Sequence, residues 1–281
     1  MEALTPPPVA GLLPALVKRI LTAFVGIPLV VAIVVAAPRW VFGVLVVGLS
    51  AVAAWELIRM FERAGRPGHA WLAVAGAATV TASFGTPQFP GLTVTVFTSV
   101  LAVALTSSLW GGASPSLEPL AATLLAIVYV GWLLGHAVRL AHLPDGANLV
   151  LFLAGTTWAG ESAAYAVGSA LGRHPLAPAI SPRKTVEGAV GQLLLSVVAA
   201  GVLGVWLLPE WSVATVLLAG ALLGVIGQIG DLVESVIKRS LGAKDAGDFI
   251  PGHGGVLDRL DGLMFNAPAL FYYASWVGGR G

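Results

Sequence analysis

From Leu21 to Ala37 the chain is apolar nearly throughout, and apolar runs of similar length recur toward the C-terminus, separated by short polar stretches. Strands of a transmembrane barrel alternate lipid-facing and lumen-facing residues over about 10 positions, a pattern that the unbroken run does not follow. A crossing helix needs about 20 predominantly apolar residues. On that measure spans are expected near residues 20–37, 40–60, 69–85, 91–110, 119–140, 148–171, 186–208, 212–236 and 257–277. The expected fold is all-α, a polytopic transmembrane helical protein of about nine spans. The third span contains the hydroxyl residues Thr79, Thr81 and Ser83.

Composition sharpens this picture. The 281 residues are 57% hydrophobic and 10% charged, against about 25% charged in a soluble domain. The apolar excess must face lipid, where only helices or closed barrels satisfy every backbone N–H and C=O. The absence of cysteine excludes disulfides and thiolate metal sites. A net charge of +1 offers no clustered basic field, so no nucleic-acid partner is expected.

Residues 1–19, with Pro6, Pro7 and Pro8 ahead of Lys18 and Arg19, lack the order of a signal peptide and read as a cytoplasmic lead-in. Residues 20–281 read as one membrane domain without internal repeats or a soluble insertion. With the N-terminus inside, only Arg39, Arg139 and Arg280 of the 15 basic residues fall outside. Cytoplasmic loops carry the excess of Lys and Arg, so the distribution supports both the odd number of spans and the orientation. The two longest polar stretches, residues 172–188 and 238–261, fall on the same inner face.

Six of the fourteen carboxylates lie between residues 231 and 261: Asp231, Glu234, Asp245, Asp248, Asp258 and Asp261. Each ionised side chain at a bilayer centre costs roughly 2.5–3.5 kcal/mol on insertion scales, which makes such density the mark of a functional site. Asp231, Glu234, Ser235 and Lys238 stand at i, i+3, i+4 and i+7, forming one polar stripe on a helix. Asp258 and Asp261 share a face at the start of the last span. Convergence of the two helix ends would suit Mg²⁺, which prefers oxygen ligands and is usually held by one or two carboxylates plus substrate phosphates. The glycines of Pro251-Gly252-His253-Gly254-Gly255 let backbone N–H groups approach a phosphate. Lys238, Arg239, Lys244 and Arg259 supply positive charge.

The run Ser235-Val-Ile-Lys238-Arg239-Ser-Leu-Gly-Ala-Lys244-Asp245-Ala-Gly-Asp-Phe-Ile-Pro251-Gly-His253-Gly-Gly-Val-Leu-Asp258-Arg259-Leu-Asp261 resembles the signature of phosphatidate cytidylyltransferases, the CDP-diacylglycerol synthases. Gly227-Gln228-Ile229-Gly230-Asp231 is similar to that family's approach to the signature, and Ser181-Pro-Arg-Lys184-Thr185-Val-Glu187-Gly188 resembles its S-P-K-K-T-x-E-G stretch. The matches cover roughly residues 155–266, while the first five spans match only in being apolar. Glu161 stands where the family carries aspartate, and Val186 where tryptophan is common.

The resemblance implies transfer of cytidylyl from CTP to phosphatidic acid with Mg²⁺, and leaves room for a second cation. For that reaction Asp231 and Asp258 are expected to hold the cation, with Asp261 as a third ligand or an outer hydrogen-bonding group, and Lys238 and His253 beside them in catalysis. Ser181, Lys184, Thr185, Glu187, Ser235, Arg239, Lys244, Asp245, Gly254, Gly255 and Arg259 are then expected to bind the two substrates. The basic-residue distribution puts the active site on the cytoplasmic side of the plasma (inner) membrane, and the resemblance adds a homodimer.

Other charged residues invite plainer readings. Glu56, Arg59, Glu62 and Arg63 have i, i+3 and i+4 partners at a helix end, where surface pairing is expected. Ser181 or Thr185 can cap the following helix. Glu161 is either part of a satisfied polar network or a wall of the site. His69, His136, His142 and His174 lack ligand spacing, and Trp40, Trp110, Trp206 and Trp211 sit near span ends as an aromatic belt would. The competing function is a transporter for an anionic substrate, against which stand the missing repeat and the gathering of charge at one face.

Overall fold

The computed structural model describes residues 24, 26, 28–89, 91–107, 109, 117–247, 249 and 254–278. Residues 28–36 are helical and lead into α1 (Arg39–Arg63), α2 (Ala70–Ser83) and α3 (Leu92–Ser107). A long helix α4 (Glu118–Ala141) follows, then α5 (Gly146–Leu171). A hairpin of β1 (Pro175–Ala177) and β2 (Ser181–Thr185) leads to α6 (Val186–Leu207), α7 (Val213–Ser240) and α8 (Leu257–Gly278). These eight helices coincide with the last eight expected spans to within a few residues. The first expected span is described only in part, and Trp110 and the lead-in fall outside the described residues.

By length and composition α1, α4, α6 and α7 are able to cross a bilayer. The 14 residues of α2 reach about 21 Å at 1.5 Å per residue, short of the roughly 30 Å hydrocarbon layer. Hydrophobic side chains such as Val205, Trp206 and Val213 stand on the outside of the bundle, the inversion of a soluble protein that the composition requires. Inside, Leu57, Ile58 and Met60 of α1 join Ile127 and Leu140 of α4, Phe152 of α5 and Met264 and Leu270 of α8 in one core.

Local chemistry sets the ends of the helices. The Thr185 hydroxyl accepts from Gly188 N at 3.1 Å at the start of α6, and Ser212 Oγ accepts from Thr215 N at 3.2 Å at the start of α7. Ser181 lies in the hairpin and does not cap. The end of α7 turns at Gly242, whose φ of +67° suits a residue without a Cβ. There Ala243 N donates to Lys238 O at 2.8 Å and Gly242 N to Arg239 O at 3.1 Å, closing a Schellman turn. The hairpin itself departs from the expected loop. The backbone pairs Pro175 with Thr185 and Ala177 with Ser181, and Glu187 secures it by accepting from Arg173 N at 3.0 Å.

The short helix α2 is tied to α4 through a hydroxyl side chain. Residues Ala126–Trp132 of α4 form a π-helical segment, and such a widened turn exposes backbone carbonyls to outside partners. Thr81 fills that role: its hydroxyl donates to Gly131 O at 3.0 Å and lies 2.8 Å from Ser50 Oγ of α1, tying three helices together. Thr81→Val should therefore cost about 1 kcal/mol of unfolding free energy in detergent. Thr79→Val, at an exposed position on the same helix, should leave it unchanged. Paired thermal-unfolding curves check the difference.

Candidate active site

The C-terminal ends of α1 and α7, the hairpin and the start of α8 meet at one end of the bundle. The contact that organises this end is the crossing of α7 and α8. A Cβ at Gly230 would lie 2.7 Å from Asp261 O, so only glycine lets the two backbones come this close. As a result the polar stripe of α7 faces the first turns of α8 across almost no gap.

Asp231, Glu234 and Asp261 converge there, with one carboxylate oxygen from each lying within 4.8 Å of the others. Two ammonium groups balance them. Lys184, brought over by the hairpin, pairs with Asp231 at 2.6 Å. Lys238 lies 3.1 Å from Glu234, which is 0% exposed, and 2.8 Å from Asp258. Asp258 joins the group through Lys238 and not directly; Glu234 is the third member of the converging set, where the sequence pointed to Asp258. The remaining capacity of Asp258 goes to backbone: Ala246 N and Gly255 N each donate to Oδ2 at 3.0 Å.

The donor set fits a hard divalent cation. Three carboxylates face one another, and Lys238 is the one cation within ion-pair distance of Glu234 among the described residues. Buried like charges of this kind require cationic compensation, and oxygen-only sites of this type suit Mg²⁺.

A cleft of about 550 Å³ opens beside the cluster, lined by Lys184, Arg183, Thr185, Gln228, Asp231 and Glu161 among others. A second cavity of about 540 Å³ is walled largely by apolar residues of α1, α4 and α5, with Asp258 and Arg259 at its polar end. Glu161 lines both cavities and packs against Gly262 of α8. It is a wall between two chambers.

The other expected residues distribute as follows. Lys184 and Thr185 reach the cleft, whereas Ser181 does not line it. Glu187 turns to the hairpin, pairing with His174 Nδ1 at 2.6 Å. Arg239 donates to Ile180 O at 3.2 Å and Ala243 O at 3.0 Å, bracing the hairpin against the turn after α7. Lys244 and Asp245 line a separate surface hollow with Arg63. Ser235 is buried on α7. Gly254, at φ +82°, sits beside Asp258, and His253 lies outside the described residues.

Glu56 overturns the surface-pairing expectation. Arg59 and Glu62 do pair at 3.1 Å on the outside of α1, but Glu56 is 1% exposed and accepts from Val256 N at 3.1 Å and Leu257 N at 2.8 Å. Its signal in the sequence was the cost of a carboxylate inside an apolar span. Gln228, which lines the cleft one turn before Asp231, was legible only as part of the Gly227–Asp231 motif.

This is a polytopic helical protein whose acidic cluster, buried at Glu234 and flanked by lysines, borders a cleft through Asp231, with a largely apolar cavity at the neighbouring Asp258. The chain belongs to the cytidylyltransferase family, whose model matches residues 17–277. It is 30% identical over 261 residues to the phosphatidate cytidylyltransferase of Bacillus subtilis, covering 91% of this chain and 96% of that one. It is 42% identical over 159 residues to the uncharacterized protein YnbB of Escherichia coli, covering 53% of each. It is also 40% identical over 147 residues to the phosphatidate cytidylyltransferase of Staphylococcus haemolyticus, covering 52% of this chain and 56% of that one. The matched region thus spans about half the length of the latter two relatives.

Removing one member of a buried charge pair leaves the other uncompensated, at a cost of about 3–5 kcal/mol. Lys238→Met, which strands the 0% exposed Glu234, should therefore lower unfolding stability by about that much. Lys184→Met strands Asp231, whose side chain is 34% exposed, and should cost clearly less. Equal losses in denaturation curves would contradict the ranking.

Proposed function

We propose that the protein transfers cytidylyl from CTP to phosphatidic acid, giving CDP-diacylglycerol and pyrophosphate. The observation that carries this reading is that a cleft holding Arg183 and Lys184 opens at Asp231 of the acidic cluster, while a largely apolar cavity opens at the neighbouring Asp258 and Arg259. A triphosphate and an acylated phosphate differ in just this way. The relatives named phosphatidate cytidylyltransferase support the same choice.

Arg183 and Lys184 face the cleft and suit the phosphates of CTP. Arg259, at the polar end of the apolar chamber, suits the lipid phosphate while the acyl chains occupy the chamber or adjoining lipid. The lipid phosphomonoester, with a second pKa of about 6, is largely dianionic at neutral pH and needs no strong general base. Its oxygen attacks the α-phosphorus of CTP; a new P–O bond forms, the α–β bridging bond breaks, and its electron pair leaves with pyrophosphate. Alignment and charge neutralisation are the tasks left to the protein.

Asp231, Glu234 and Asp261, with Asp258 alongside, are the residues that would hold Mg²⁺. When bound, the ion offsets negative charge on the reacting phosphates. Lys238 and Lys184, which balance the carboxylates, lie where they also attract phosphate. Glu161 keeps the two chambers distinct. The distribution of basic residues supports a cytoplasmic site in the plasma membrane, and family resemblance supports a homodimer.

Purified protein given CTP, phosphatidic acid and Mg²⁺ should release pyrophosphate, and chelation should stop it. Asp261→Asn should lower turnover by about 10²-fold or more, with Asp258→Ala similarly impaired. A liposome that moves an anionic substrate across the membrane without CTP turnover would instead favour a transporter.

A further inference from the structure

We infer that Glu56, from the N-terminal half of the chain, is a positioning residue that holds residues 246–247 and 254–258, which lead into α8, in the register the acidic site requires. Its carboxylate is buried against two glycines of that segment: a Cβ at Gly247 would lie 2.8 Å from Oε1, and one at Gly255 would lie 2.7 Å from Oε2. The same carboxylate takes the amides of Val256 and Leu257, which open α8 and would otherwise be unsatisfied in an apolar setting. On the other side of the segment Asp258 takes the amides of Ala246 and Gly255, together with Lys238.

The segment is thus held between two carboxylates. Asp258 is local to the site, whereas Glu56 precedes Val256 by 200 residues. Its reach explains why the glycines stand where they do, since neither Gly247 nor Gly255 could gain a Cβ without displacing Glu56. Glu56 is in contact with neither cavity. It acts through Leu257 and Val256 on the neighbouring Asp258 and, one turn on, Asp261.

Glu56→Gln keeps the volume but replaces one acceptor with an amide donor, so one backbone N–H loses its partner. This inference rests on the cytidylyltransferase reading for its kinetic consequence but not for its structural one. In the full-length protein in detergent, kcat should fall by about 10²-fold, the size expected of a misplaced reacting group. KM for CTP and for phosphatidic acid should stay within about threefold. Hydrogen exchange at residues 254–258 should speed up by about tenfold, with the core of α7 unchanged. Unaltered exchange in this segment would overturn the inference, as would normal kcat in the folded variant. If Glu56→Gln does not fold, Gly255→Ala, which presses directly on Oε2, must reproduce the selective kcat loss and the local exchange. If wild-type protein shows no turnover, the exchange experiment alone decides the role of Glu56, and the functional reading falls separately.

Discussion

The structure turns on a cost that lipid imposes: a carboxylate inside a helical bundle must find positive charge or backbone N–H groups, because no solvent is there to serve it. At the crossing of α7 and α8 the requirement is acute. Gly230 brings the backbones close enough for Asp231, Glu234 and Asp261 to face one another. Two lysines from different parts of the chain then become necessary. Lys238 comes from the same helix as Glu234, and Lys184 must be carried in by the hairpin. The hairpin's fixed shape, secured by Glu187 and Arg239, follows from that need.

The same constraint explains the division of labour among acidic residues that look alike in sequence. Asp258 and Glu56 spend their oxygens on backbone amides of one segment and so give it a shape. Asp231, Glu234 and Asp261 accept few such bonds and keep oxygens directed at one another. A group of the first kind builds a wall, and one of the second kind has capacity left for a cation. Glu161 lines both cavities beside this capacity, with Asp231 in the first and Asp258 in the second.

The rest of the bundle is a scaffold solved by membrane rules. Thr81 enters α2 without penalty because the π-helical segment of α4 offers it Gly131 O. Exposed valines and tryptophans face outward, as the composition demands. None of these features touches the cleft, yet α1 supplies both core side chains and Glu56, so the first half of the chain is tied physically to the chemistry of the second.

Periodicity and hydropathy were enough to place the helices, because a segment of about 20 apolar residues has one low-energy conformation in lipid whatever its neighbours do. The polar stripe of Asp231, Glu234 and Lys238 was likewise legible, since residues at i, i+3 and i+7 on one helix share a face. What the sequence could not decide was pairing between distant elements. Whether Asp258 or Glu234 completes the acidic cluster depends on how α7 rotates against α8 at Gly230. Whether Glu56 lies on the surface or against Gly247, Gly255 and the start of α8 depends on a contact across 200 residues. Such contacts are settled by packing and by the satisfaction of buried polar groups in three dimensions, and no local pattern encodes them.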